Sequence, residues 1–555
     1  MRRFLISLVW VLPVMALGTM LPTVKVSPGI TAEVSPLLFG GVLEGGNARV
    51  LGAGVDGADL VLDPETGEPR EEIVRLLRRI DVPAVQFPGN EALRGCDPLA
   101  WAQLITQPEL DAPGQKPRFG YFEFFTLAEE LGWKTILPIN FQPIVAAKTD
   151  EARHQAILDA CGVLAYASSP ESATLPEGMP AWPAVRAANG RSAPFTVDYV
   201  RIGGAFEGGA GQPETAAAAR HIQLCLLETI AMLRVLQLDV PVIVDAALGP
   251  ASELSSKVLA RVFSDPAVRE AVSFLNVDLR RPGELERVEM FNKPVELNTV
   301  DGDRIWYAMV SAPDIDETGQ ATLDNGDDAE LALVASAGEP LVVSQWNWDA
   351  GTARHPVLDS RFAQGHASAG VIHAMLRHGG VALGMHASLL GDAGAGSAIR
   401  APADSDPFLQ PVGEVLKFYR ENVGSSVFYC DIEDATLWEQ PLRLGELEPA
   451  KFISTLDAVA TGDERTVSIH LINRHFRRPQ HVDIDLSDFV TQRGVPLQTE
   501  AEVVVLEGSL LPNPEPTDSG KNRIILSKRY LQFDPMGRAT VELPARSLVV
   551  IKARR

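Results

Sequence analysis

The chain has 555 residues, of which 46% are hydrophobic and 22% charged, a globular composition that rules out a disordered or collagen-like polymer. At roughly 100–200 residues per domain, about two to four domains are expected. Lys and Arg number 49 against 72 Asp and Glu, a net charge of −23, which argues against nucleic acid or an anionic membrane surface as partner.

Residues 1–20 open with Arg2 and Arg3, continue as the apolar stretch Phe4 to Leu17, and reach Ala16-Leu17-Gly18. Basic residues, an apolar core and a small-x-small site are the pattern of a signal peptide, so export to the periplasm or the extracellular space is expected. The alternative is an uncleaved anchor, but Pro13 interrupts a stretch already short of the about 20 residues a span requires.

Eight short runs rich in Val, Ile and Leu come next: Leu37–Leu43, Pro83–Phe87, Thr135–Asn140, Tyr199–Gly204, Val240–Ala246, Val272–Asp278, Pro340–Gln345 and Val381–His386. They lack clean alternation, as strands covered on both faces do. Between several lie stretches with helical spacing: Glu71–Ile80, Phe119–Leu131, Glu151–Ala167, Glu214–Leu236 and Ala363–Arg377. Strand and helix in eightfold alternation predict an α/β fold, a (β/α)8 TIM barrel over residues 21–395. A doubly wound sheet is the rival, but Gly40-Gly41-Val42-Leu43-Glu44-Gly45-Gly46 does not fit its G-x-G-x-x-G loop.

Beyond about residue 395 alternation replaces helical spacing in Thr466–Asn473, His481–Leu486, Ala501–Leu506, Arg523–Ser527 and Ser547–Lys552. Residues 396–555 therefore read as an antiparallel β-sandwich, with Thr23–Val34 placed to lend it a strand.

Metal and redox chemistry find no motif. Cys96, Cys161, Cys225 and Cys430 form no Cys-x-x-Cys pair, and His366 and His373, a heptad apart, fit packing or surface better than zinc ligation. There is no H-E-x-x-H, phosphate loop or nucleophile elbow, and no cofactor is implied.

A (β/α)8 barrel works at the C-terminal ends of its strands. The polar residues there are Glu44, Asn90 with Glu91, Asn140 with Gln142, the Arg201–Glu207 segment, Asp245, Asn276 with Asp278, Ser344–Trp348 and His386. Carboxylates, amides and Trp around one mouth suit a sugar, which takes paired polar contacts and a stacking surface.

At these residues the chain resembles glycoside hydrolase family 51, the α-L-arabinofuranosidases, over most of its length. Phe39 to Glu44 is similar to the family's G-x-F-x-E, whose Glu holds the furanose. Phe87-Pro88-Gly89-Asn90 is similar to W-P-G-G, with Trp101 where a downstream Trp is expected, and Phe119 to Phe124 to F-G-x-D-E-F. The most specific likeness is Arg186-Ala187-Ala188-Asn189-Gly190 with Pro194 and Val197-Asp198-Tyr199, against R-A-x-N-G…P…V-K-Y-W. In the sandwich, Asn473-Arg474 and Leu543-Pro544-Ala545-Arg546-Ser547 resemble N-R and L-P-x-x-S. The resemblance implies a barrel plus a sandwich, arabinose-decorated polysaccharide as partner, and Glu44, Asn90, Asn140, Asp278, Trp346 and Asn347 as substrate-binding residues. A homo-oligomer stays open.

The catalytic positions depart from that pattern. The family's acid/base Glu of I-G-N-E is matched by Ala205 and its nucleophile Glu of D-E-W-N by Gln345, while the strand-six His is matched by Val277 or Asp278. A methyl group donates no proton, and an amide forms no glycosyl ester. Three readings remain open. One is hydrolysis by relocated carboxylates: Glu207, two residues past Ala205, as acid, with Glu296, Asp278 or Asp245 as partner. Another is a pseudoenzyme that binds the glycan without cleaving it. The third is a scaffold with a filled mouth.

Overall fold

The computed structural model describes residues 21–44, 60–63, 65–89, 100–105, 119–203, 216–245, 261–281, 288–311, 340–348, 355, 357, 361–391, 396–402, 406–445, 449–493, 497–508 and 524–554. The expected leader at 1–20 lies outside them. No helix among the described residues is long and apolar enough to cross a membrane.

Eight parallel strands close into a barrel in sequence order: Gly40–Val42, Ala84–Gln86, Lys134–Asn140, Tyr199–Gly203, Val242–Asp245, Phe274–Arg281, Leu341–Trp348 and Val381–His386. Each overlaps one of the eight apolar runs, and the expected fold class holds. The helices Glu71–Ile80, Tyr121–Leu131, Asp150–Ser168, Ala216–Val235 and Arg361–His378 fall on the stretches with helical spacing. Glu71–Ile80 shows the logic: Ile73, Val74, Leu76, Leu77 and Ile80 are buried against the barrel, Glu71 and Glu72 open the helix, and Arg78 and Arg79 close it in accord with its dipole.

The C-terminal strands form a mostly antiparallel nine-stranded series into which the N-terminal strand Thr23–Glu33 is inserted, antiparallel to Ser426–Glu433 and parallel to Gln480–Asp485. Period-two alternation gives the sheet two buried faces. Val503, Val505, Val549 and Ile551 enter its own core, while Val504, Leu506, Leu548 and Val550 join the core of the barrel.

Helix Arg361–His378 carries the junction. His366 is fully buried, and its Nε2 donates to the Asn473 carbonyl at 3.2 Å. His373 Nδ1 lies 3.3 Å from Asp457, and its Nε2 lies 2.8 Å from the Tyr419 hydroxyl. Burial alone would raise the Asp457 carboxyl, but Arg377 at 2.5 Å and Arg474 at 2.6 Å hold it well below the usual carboxylate range. His366 and His373 are thus packing residues between the two units.

Candidate active site

The barrel interior is built in layers, because inward-facing residues recur every second position along each strand. Val42, Ala84, Ile136, Ile243, Val342, Leu383 and Met385 form an apolar plug. Two residues further along the strands, toward their C-terminal ends, stand Glu44, Gln86, Arg201, Asp245 and Asn276. The mouth therefore rests on a polar floor.

That floor is one hydrogen-bonded network. Arg201 Nε donates to Asp245 Oδ1 at 2.7 Å and its Nη2 to Asp245 Oδ2 at 3.0 Å. Arg201 Nη1 donates to Gln86 Oε1 at 3.1 Å, and Asn276 Nδ2 to Asp245 Oδ1 at 2.8 Å. Asn276 Oδ1 accepts the Ser344 backbone N–H at 2.8 Å, and Gln86 Nε2 donates to the Pro88 carbonyl at 3.3 Å. Strands two, four, five, six and seven are joined through it. The Arg201 and Asp245 side chains are only 2% and 9% exposed, so the pair is charge-compensated inside the protein. Two donors on Oδ1 and one on Oδ2 hold Asp245 in the floor.

The two glycines nearest this layer are required by close approach. A Cβ on Gly203 would lie 2.0 Å from Asp245 Oδ2, and one on Gly89 would lie 1.8 Å from Glu44 Oε2. Glu44 thus lies across the Phe87-Pro88-Gly89 turn at the end of strand two.

Strand seven carries a register shift between Val343 and Gln345: Val343 pairs with Val277, and Gln345 with Asp278. The extra residue, Ser344, is the one whose N–H bonds to Asn276. A bulge at a strand end re-aims the side chains beyond it. Trp346 consequently packs into the surrounding core with no exposed surface, edge-on to His386 with ring centroids 4.9 Å apart. In this structure the Trp346 ring presents no exposed face. Burial pushes the His386 imidazole down to about 4, so it is neutral at ordinary pH. Asn140 and Asn347 are both 8% exposed, and Asn140 Oδ1 accepts the Gln142 N–H at 3.1 Å. Three buried polar atoms at the ends of strands seven and eight have no hydrogen-bond partner among the described residues: Trp346 Nε1, Asn347 Oδ1 and His386 Nε2. Unpaired buried polar atoms are costly unless a ligand or water serves them.

The other expected residues fall in different places. Asn90, Ala205 and Glu207 lie outside the described residues. Asp278 and Gln345 are described as adjacent backbone positions of strands six and seven. Glu296 is exposed, in the loop after strand six, directly before the short turn Leu297–Thr299. The motif of highest specificity is structural: buried Arg186 donates to the carbonyls of Tyr166, Ala167 at 3.2 Å and Ser169 at 2.8 Å, closing the C-terminal end of helix Asp150–Ser168. Missed from sequence was the Arg201–Asp245 pair. Its only signal was a cation in an otherwise apolar strand, Tyr199–Gly203.

Residues 89–212 match the family model of the alpha-L-arabinofuranosidase 1 domain. No curated protein matches the chain. An α-L-arabinofuranosidase from Thermotoga maritima, solved with arabinose, is similar to it with TM-score 0.67 and 16% identity, covering 96% of this chain and 100% of that one. A family 51 arabinofuranosidase from Xanthomonas axonopodis pv. citri is similar with TM-score 0.67 and 17% identity, over 96% and 99% of the two chains. One from Bifidobacterium longum has TM-score 0.65 and 15% identity over the same shares. The family resemblance drawn from the motifs is borne out by these likenesses. At such identities the solved structures carry the fold, a barrel with a C-terminal β domain, and a fold does not set an activity.

Proposed function

We propose that the barrel mouth recognises an arabinofuranosyl group of a plant polysaccharide and holds it without cleaving it. The observation that carries this reading is the state of the carboxylates. Double displacement at a glycoside needs two carboxyl groups about 5–5.5 Å apart. Among the inward positions whose side chains are described, the carboxylates are Glu44 and Asp245, and Asp245 is bound by Arg201 and Asn276. The strand-seven position that the family likeness gives to a nucleophile is an amide, Gln345. Glu44 over Gly89 and Asn140 supply polar partners for sugar hydroxyls.

Binding is tested by affinity electrophoresis in arabinoxylan and by calorimetry with methyl α-L-arabinofuranoside. Retardation by arabinoxylan, together with a saturable heat for the arabinoside, is expected. A mouth that takes neither would remove the reading. Export rests on residues 1–20 and is tested by N-terminal sequencing of the protein recovered outside the cytoplasm.

A second reading is favoured by one register fact: Asp278 is the direct neighbour of Gln345 across strands six and seven. In it, displaced carboxylates hydrolyse the glycoside, with Glu207 as acid and Asp278 as its partner. It predicts arabinose release that either Glu207→Gln or Asp278→Asn abolishes.

A further inference from the structure

We propose that a cleft between the barrel and the C-terminal domain is a second carbohydrate subsite, which takes the neutral polysaccharide chain bearing the arabinofuranosyl group. This rests on the reading that the mouth recognises that group. The cleft has a volume of about 580 Å³ and is lined by Asp303, Arg304 and Tyr307 from the barrel and by Trp438, Glu439 and Arg477 from the C-terminal domain.

Its position is set by chain direction. Helix Gly302–Ser311 comes after strand six, and a helix in a barrel runs back antiparallel to its strand, so its first turn lies at the mouth end. A Cβ on Gly302 would touch Val357 at 3.1 Å and His355 at 3.9 Å, in the segment after strand seven, at the same end. From the other side, Leu442–Leu444 of the C-terminal domain pairs antiparallel with Val288–Met290 of the loop after strand six. The C-terminal domain therefore builds one wall of the barrel's rim.

The lining chemistry fits a neutral glycan. Tyr307 and Trp438 pack together with ring centroids 3.8 Å apart, each half-buried, and form an aromatic wall for the apolar C–H face of a pyranose. Arg477 Nη2 donates to Asp303 Oδ1 at 2.9 Å, which sets a cation and an anion side by side at the cleft edge. Such groups make paired hydrogen bonds to vicinal hydroxyls. Asp301, Asp303 and Glu439 outnumber Arg304 and Arg477 in the lining, so a phosphate or sulfate ligand is disfavoured.

The test uses the full mature chain with two probes: arabinoxylan in affinity gels, and methyl α-L-arabinofuranoside by calorimetry. Trp438→Ala and the rim variant Glu439→Gln/Arg477→Ala, each checked by circular dichroism, are compared with wild type. The expected result is a loss of arabinoxylan affinity of roughly tenfold in either variant, with arabinoside binding unchanged. Wild-type retardation in both folded variants would overturn the subsite, and the mouth reading would stand. Retardation that depends on Trp438 while wild type binds no arabinoside would support the cleft and remove the mouth. Binding of neither probe by wild type would overturn both.

Discussion

The Arg201 guanidinium grips the Asp245 carboxylate through two nitrogens, at 2.7 and 3.0 Å, in the floor of the barrel mouth. The pair makes the centre of the barrel electrically quiet. Gly203 and Asn276 are packed on the same carboxylate.

Breaking that pair leaves an uncompensated buried anion. Arg201→Met should cost about 3–5 kcal/mol in urea unfolding. The double variant Arg201→Met/Asp245→Asn should recover a large part of the loss. A single variant within about 1 kcal/mol of wild type would contradict the buried-pair account.

Gly89 gives Glu44 its place. In Gly89→Ala the new Cβ falls 1.8 Å from Glu44 Oε2, so the carboxylate must swing away. Affinity for methyl α-L-arabinofuranoside should fall at least about tenfold, with a small change in melting temperature because the displaced group is a side-chain end. Unchanged affinity would mean that the ligand does not use Glu44 where it now lies.

Trp346→Phe removes an N–H that has no partner among the described residues and keeps a ring against His386. Stability should hold or rise slightly, since an unserved buried donor costs about 1–3 kcal/mol. Arabinoside binding should be unchanged, because the ring has no exposed surface. A loss of more than about 1 kcal/mol in urea unfolding would show that Nε1 is served in the folded protein.

Burial lowers the imidazoles of His366 to about 3 and of His386 to about 4, against an ordinary value of about 6.5. Between these limits the unfolded chain takes up protons that the folded chain refuses. Both residues thus contribute stability that is complete above about pH 6.5 and is lost as pH falls through 4 and then 3. Melting temperature should drop from pH 7 to pH 4, and His366→Gln should flatten that slope even if it lowers the starting value. An unchanged slope would contradict the assignment.

The barrel was legible because its strands are buried on both faces: runs such as Val381–His386 carry no polar break and coincide with the strand itself. The C-terminal strands were legible for the opposite reason, since Thr466–Asn473 alternates between two cores. Two of the family motifs are scaffolding. Arg186 closes a helix, and Asn473 holds the carbonyls of Leu543 and Pro544. The features that could not be read depend on closure. Arg201 and Asp245 are 44 positions apart and meet only because strands four and five are neighbours. The Ser344 bulge has no local signature in Leu341–Trp348, and it decides which way Trp346 packs. Glu296, one candidate partner for the acid, sits exposed before a turn that the strand pattern did not reveal.

The central claim is recognition without turnover, and arabinose release from 4-nitrophenyl α-L-arabinofuranoside by the purified mature chain tests it most directly. Measured at concentrations that saturate the calorimetric site, release should not exceed the protein-free blank. Release above the blank that disappears in Glu207→Gln would contradict the claim and make this chain a hydrolase with a relocated acid.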